Sequence, residues 1–354
     1  MTLLSGDPPR SRLLAAILLA IVAALAAAPF LFPGAQALNT AAKICVFVVL
    51  VASYDLLIGY AGIVSFAHTM FYGIGGYGVG LALYGWGATW SAAAGGFVLA
   101  LGLGILLALV IGLFSLRVRA IFFAMITLAV ASAFAILASQ LSALTGGEDG
   151  RSFRVPPELR PAFKLLEDPV LGLEVNGRVL AYYVLFATAA ALVLLALRIV
   201  NSPFGSVLKA IRENDFRAEA LGYRTVVYRT KVNCIAAAMA VAAGGLNALW
   251  LRYTGPDTTL SFAIMLDILL MVVIGGMGTL YGAVIGATLF ILAQTYLQKL
   301  MALGAAATEG LPLLPHLIHP DRWLLWLGVL FVASVYFFPT GIVGRLQGGN
   351  ARED

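Results

Sequence analysis

Three ionisable residues fall inside long apolar runs of this chain: Asp55 in SYDLLIGY, His68 in GIVSFAHTM with Ser65 just before it, and Asp267 in AIMLDILLMVV. An ionisable group at bilayer depth costs about 2.5–3.5 kcal/mol on insertion scales, so such groups usually face a polar cavity, a partner or an aqueous path. The chemistry they could do is that of a translocation route, by contacting a proton, an ion or a polar ligand. Structural pairing would explain them equally, as would an interfacial position for Asp55. His316 and His319 form an H-x-x-H pair, but no third ligand is near and prolines flank it, so no metal site is expected. The dipeptide Gly-Lys does not occur, so the chain has no phosphate-binding loop of its own. No catalytic constellation appears: the chain reads as a non-enzyme, with no cofactor. Cys45 and Cys234 lie in apolar runs and read as small apolar fillers rather than a disulfide.

The elements that must position these residues are membrane helices. Of 354 residues, 61% are hydrophobic and only 11% charged, with a mean hydropathy of +0.97. Soluble domains carry about 25% charged residues, so composition excludes an ordinary soluble globule. A net charge of +5 does not point to nucleic acid. At about 20 apolar residues per span, ten spans are expected, near 12–33, 39–59, 62–83, 90–115, 120–141, 179–199, 232–251, 259–275, 280–300 and 323–339. The fold class is thus an all-α integral membrane protein forming a single transmembrane domain over 1–354. With the N-terminus inside, the inside segments carry 13 of the 22 basic residues, among them Arg10, Arg12, Arg117, Arg119 and Arg198. That bias supports N-in and C-in. The first apolar run follows Arg10 and Arg12 and passes an Ala26-Ala27-Ala28 site, but it continues through Phe32 and reads as a retained span.

Glycines cluster twice, as GYAGIVSFAHTMFYGIGGYGVG at 59–80 and GGMGTLYGAVIG at 275–286. Glycine-interrupted apolar segments in both halves point to broken helices lining a pathway; close packing through small residues is the other reading. For 59–80 the expectation is a discontinuous span loosened at Gly73, Gly75 and Gly76, with Ser65 and His68 near the ligand's route. Two polar excursions remain. Segment 142–178 is rich in Gly, Pro and both charges and is expected outside the membrane on the extracytoplasmic side. Segment 201–231 is expected inside. There Ser202-Pro203 reads as a helix start, and Phe204, Val207, Leu208 and Ile211 make an apolar stripe. Asn214-Asp215 can end this helix or cap a second piece, which Gly222 would stop. Acidic Glu213, Asp215 and Glu219 are interleaved with the bases, which suits a cleft on a soluble partner better than an anionic lipid surface.

These residues carry a resemblance. The second excursion resembles the cytoplasmic coupling loop of ABC importer permeases, and most closely that of the branched-chain amino acid permease family. Ser202, Pro203, Gly205, Ala210, Ile211, Arg212, Glu213 and Asn214 follow its S-P-x-G-x-x-x-x-A-I-R-E-N pattern, and Ala218, Ala220, Leu221 and Gly222 its A-x-A-L-G. YDLLIGYAGIVSFAHTMFYGIGGY, LTGGEDG at 144–150 and GGMGTLYGAVIGA are similar to three further family patterns, the second characteristic of the M-type subunit. Gly76 stands where the family usually has Ala, and Arg151 where it usually has Leu.

The resemblance implies the pore-forming subunit of an ATP-driven importer of leucine, isoleucine and valine, working by alternating access in a bacterial inner membrane. It implies four kinds of partner: a second, H-type permease, two ATPase subunits, a periplasmic substrate-binding protein and membrane lipid. Ile211, Arg212, Glu213, Asn214, Glu219, Ala220 and Gly222 would couple to the ATPases. Ser65, His68, Gly73, Gly75, Asp55 and Asp267 would line the pathway. Related permeases carry urea or short amides. An ion-coupled secondary transporter, with Asp55, His68 and Asp267 as ion sites, is the rival class.

Overall fold

The computed structural model describes residues 11–31, 34–115, 120–164, 176–307, 319–337 and 340–348. His316, Arg10, Arg117, Arg119 and part of the 142–178 excursion lie outside the described residues. In chain order the helices are α1 (Arg12–Ala26), α2 (Ala28–Leu31), α3 (Ala35–Asp55), α4 (His68–Gly85), α5 (Trp90–Ser115), α6 (Ala120–Gln140), α7 (Ser142–Thr145), α8 (Gly177–Val200), α9 (Pro203–Glu213), α10 (Asp215–Ala220), α11 (Thr225–Leu251), α12 (Pro256–Thr259), α13 (Phe262–Gly275), α14 (Leu280–Ala307), α15 (Trp323–Phe337) and α16 (Gly341–Gly348).

Each of the ten expected apolar runs carries a helix. Seven helical stretches among the described residues are long and apolar enough to cross a membrane, with α12 and α13 counted as one. Such a chain must satisfy its backbone internally, which helices do. The split between α13 and α14 falls at a turn held by Gly276 and Gly278, whose φ angles are +115° and +83°. Only glycine takes such angles without strain, which is why an apolar run of this length folds as two helices.

α3 is the central element: from Ile44 to Asp55 every residue is buried. α8, α11, α13 and α14 pack against it, and α4 and α5 pack on α11. The α4–α11 seam is closed by glycines. A Cβ on Gly75 would overlap the Val241 backbone, and one on Gly244 the Tyr72 carbonyl. α5 and α6 carry mostly exposed apolar side chains, such as Leu103, Phe114, Phe122 and Met125, as surfaces meeting lipid or another membrane protein do.

Three boundaries differ from the sequence expectation, and one expected cap is not made. α3 begins at Ala35 and its last turn widens into a π-helix, Leu56–Tyr60. The third apolar run is helical only from His68 onward; 61–67 is not helical. α11 starts at Thr225, within the segment 201–231 and ahead of the span expected from 232. The polar first turns of α11 are held there by Arg229, which pairs with Asp215 at 2.9 Å. Ser202 takes the N-cap position of α9, yet its hydroxyl turns back and donates to Ile199 O at 2.6 Å instead of capping.

Residues 142–164 fold over the end of the bundle opposite α9 and α10. The turn TGGEDG needs positive φ at Gly146, Gly147 and Gly150, which accounts for its three glycines. A two-stranded ribbon joins β1 (Arg151–Ser152) to β2 (Tyr253–Thr254). Phe153, Val155 and Leu159 pack on Val79, Leu83 and Ala248. Arg151 is accommodated by its guanidinium lying 4.4 Å from the Tyr84 ring centroid and donating to Ala143 O.

Candidate functional site: a broken span and the loop beneath it

The helix break at 61–67 is the feature around which the polar residues gather. His68, the first residue of α4, lies 2.7 Å from Ser53 Oγ through its Nε2. Ser53 stands seven residues before the end of the π turn at Tyr60, roughly 10 Å along the axis at 1.5 Å per residue. The non-helical segment therefore doubles back into the bundle before α4 begins. Non-helical backbone inside the bundle is tolerable only where protein or water satisfies it. Phe66 N donates to Thr127 Oγ1 at 3.0 Å and Ile63 N to Leu57 O at 2.9 Å. Ser65 Oγ accepts from Ala67 N at 3.3 Å.

The orientation of His68 follows from its partner. Ser53 gives its proton to Leu50 O at 2.7 Å, so the imidazole donates through Nε2. Its Nδ1 is left buried with no partner, as is the Tyr54 hydroxyl, whose ring centroid is 5.2 Å from that of His68. Sequence reasoning named Ser65 and His68 but missed Ser53, Tyr54 and Thr127, which belong to ordinary apolar helices and are marked only by proximity in space.

The expectation that the break lies at Gly73, Gly75 and Gly76 is corrected. All three are inside the continuous helix α4. Gly73 faces the Leu260 side chain, Gly75 the Val241 backbone, and Gly76 Thr254 and Thr259. Their lost helix propensity, about 1 kcal/mol each, is offset by close contact with α11 and α12, so the packing explanation holds here.

Asp55 and Arg212, assigned from sequence to different tasks, meet at the end of the bundle that carries α9. Asp55 Oδ1 accepts from Gly278 N at 2.8 Å, so this carboxylate caps the turn that opens α14. Arg212, one residue from the end of α9, donates through Nη1 to Gly59 O in the π turn. A side chain at Gly278 would come within 2.9 Å of Arg212 Nη1, and one at Gly62 within 3.2 Å of its Cγ. The guanidinium thus lies in a slot formed by glycines, tied to the π turn, the break and the α13–α14 turn together.

Asp267 is elsewhere, in the seam of α3, α13 and α14. Gln294 and Lys43 lie beside it. Lys43 Nζ donates to Gln294 Oε1 at 2.8 Å. Lys43 could have been found from sequence, because a lysine inside the run NTAAKICVFVV is as conspicuous as the aspartate.

Within the α9–α10 loop, Leu208 and Ile211 are buried, and Phe204 stacks on Tyr228 at 5.7 Å, so the apolar stripe faces the bundle. Asn214 caps α10 by accepting from Arg217 N at 2.9 Å. Glu219 accepts from Thr225 Oγ1 at 2.7 Å. Gly222, at φ +92°, ends α10. Asn214, Asp215 and Glu219 therefore hold the loop's shape. Ala220 and Glu213 are exposed. What the loop presents to solvent most strongly is Phe216, 87% exposed, and Leu221, 73% exposed. Sequence reasoning missed these two as contact residues, although two large apolar groups in a polar segment were the available signal.

At the opposite end of the bundle a cavity of about 490 Å³ lies between α4, α6 and the start of α13. Its floor is Phe66 and Thr69, beside the helix break, and its mouth carries Glu148 and Asp257.

Comparison with known proteins places this architecture. No solved structure matches the chain significantly. The high-affinity branched-chain amino acid transport system permease protein LivM of Escherichia coli K12 is 26% identical over 79% of this chain and 68% of its own length. The LivM protein of Salmonella typhimurium is 24% identical over 87% of this chain and 74% of its own. A probable LivM of Methanocaldococcus jannaschii is 30% identical over 48% of each chain. Residues 36–335 match the family described as branched-chain amino acid transport system / permease component, and the chain belongs to that family.

Proposed function

We propose that this chain is a pore-forming permease subunit of an ATP-driven importer of branched-chain amino acids, resident in a bacterial inner membrane. In this reading it has ten spans with both termini inside. The α9–α10 loop lies in the cytoplasm, and 142–178 lies on the extracytoplasmic side beneath a substrate-binding protein. A second, H-type permease completes the pore, and two ATPase subunits on separate chains supply the energy. The four sequence resemblances and the names of the relatives support it.

The observation that carries the reading is the loop. Phe216 and Leu221 stand out into solvent on a short helix whose frame is held by Asn214, Arg229 and Thr225. Two exposed large apolar side chains on a rigid mount suit docking into a cleft of a soluble partner. Phe216→Asp with Leu221→Asp is expected to abolish co-purification of the ATPases and leucine uptake while the permease stays in the membrane. Retention of both would defeat the reading. Competition of leucine uptake by isoleucine and valine but not urea separates it from the urea and amide permeases.

The match of the α9–α10 loop to a coupling loop argues against the ion-coupled rival; of the carboxylates, Asp55 Oδ1 caps the α14 turn while its Oδ2 is buried without a hydrogen-bond partner. In the proposed route, substrate passes along the break at 61–67 beside Ser65 and His68. Gly73 and Gly75 contribute by letting α11 and α12 approach. Asp55 and Asp267 fix the frame of the route.

A further inference from the structure

We infer that the cavity between α4, α6 and α12–α13 is the entry site for a free, zwitterionic α-amino acid with an aliphatic side chain, the Glu148 and Asp257 carboxylates at its mouth facing the ammonium group. The inference rests on the permease reading and adds to it a place and a recognition chemistry. At about 490 Å³ the cavity falls in the size range of small-molecule sites, roughly 300–1,000 Å³.

Its chemistry changes along its length. The two carboxylates and Gln140 are at the mouth. Leu128 and Ile136 on α6 face Leu260 and Phe262 across the shaft. Thr69 lies at the floor. It is 2% exposed and makes no side-chain hydrogen bond among the described residues, yet it lines the cavity. Its hydroxyl is open to the cavity and is the polar group the floor offers to a ligand. The apolar shaft accepts an aliphatic side chain. The carboxylates attract an ammonium and repel a free anion. Thr69 supplies the next polar contact as the zwitterion descends.

Position agrees with this role. The floor residue Phe66 belongs to the break, its N–H held by Thr127, so the cavity ends where the helix ends. A ligand seated there lies against backbone that can move without breaking a helical ladder. One wall is α6, whose other apolar side chains, such as Phe122 and Met125, are exposed. A second permease seated on that face would close the cavity laterally and leave the mouth open.

The test uses the assembled transporter in proteoliposomes. Ser132 lines the cavity, and S132C is treated with an impermeant thiol reagent with and without leucine. Leucine is expected to slow labelling at least threefold, whereas 4-methyl-2-oxopentanoate, which lacks the ammonium, leaves it unchanged. Glu148→Gln with Asp257→Asn is expected to raise the KM for leucine about fivefold with the maximal rate within twofold. Equal protection by the oxo acid overturns the ammonium assignment. Labelling indifferent to leucine, or a cysteine never labelled because lipid or the second permease fills the space, overturns the site. Failure of the permease reading looks different: the unsubstituted transporter then takes up no leucine at all.

Discussion

Replacing Arg212 by alanine separates a loop that merely docks from a loop that also pulls. The guanidinium donates to Gly59 O in the π turn and lies against Gly278, whose N–H is held by Asp55. A hydrogen bond to a charged group contributes about 1.5–3 kcal/mol. The Arg212 side chain is largely exposed, so screening puts the effect toward the lower end. At 1.4 kcal/mol per tenfold, the loss corresponds to roughly a 10-fold change in any equilibrium that depends on the contact, with an upper bound of about 150-fold. The other ties of the loop, Asp215 to Arg229, Asn214 to Arg217 N and Thr225 to Glu219, do not involve Arg212 and persist. ATPase binding and ATP hydrolysis in the reconstituted complex are therefore expected to continue while leucine uptake falls about tenfold. Arg212→Lys keeps the charge but lacks the planar fork, and is expected to fall between. Uptake within twofold of normal would refute the reasoning. Loss of ATPase co-purification would show that Arg212 acts outward, on the partner.

Two further predictions concern packing and sidedness. Gly75→Leu is expected to lower the amount of assembled protein in the membrane rather than yield an assembled but inactive transporter. Its Cβ alone overlaps the Val241 backbone, and overpacking typically costs 1–3 kcal/mol or more; normal membrane levels with blocked uptake would return this glycine to the pathway. A cysteine at Ser152, exposed in the β-ribbon, is expected to react with an impermeant reagent in intact cells. Reaction only after permeabilisation would reverse the proposed topology.

Much of the architecture was legible in the residues themselves. The apolar runs fold as helices because hydrophobicity and span length are summed over some twenty residues, and seven helical stretches among the described residues are long and apolar enough to cross a membrane. The stop at Gly222, the Asn214 cap and the α13–α14 split were readable for the same local reason: each depends on one or two residues and their own backbone. The glycines of 59–80 were visible, but their task was not. Loosening a helix and admitting a neighbouring helix need the same missing Cβ, and only the position of Val241 and Leu260 chose packing. The π turn at Leu56–Tyr60 and the return of 61–67 toward Ser53 were likewise undetermined locally, since that stretch is as apolar as the helix before it. Asp55, Arg212 and Gly278 are separated by more than 150 and by 66 residues along the chain and carry no shared periodicity. Their meeting is a property of how α9 and the α13–α14 turn pack at one end of α3, which is long-range geometry that no local pattern of residues encodes.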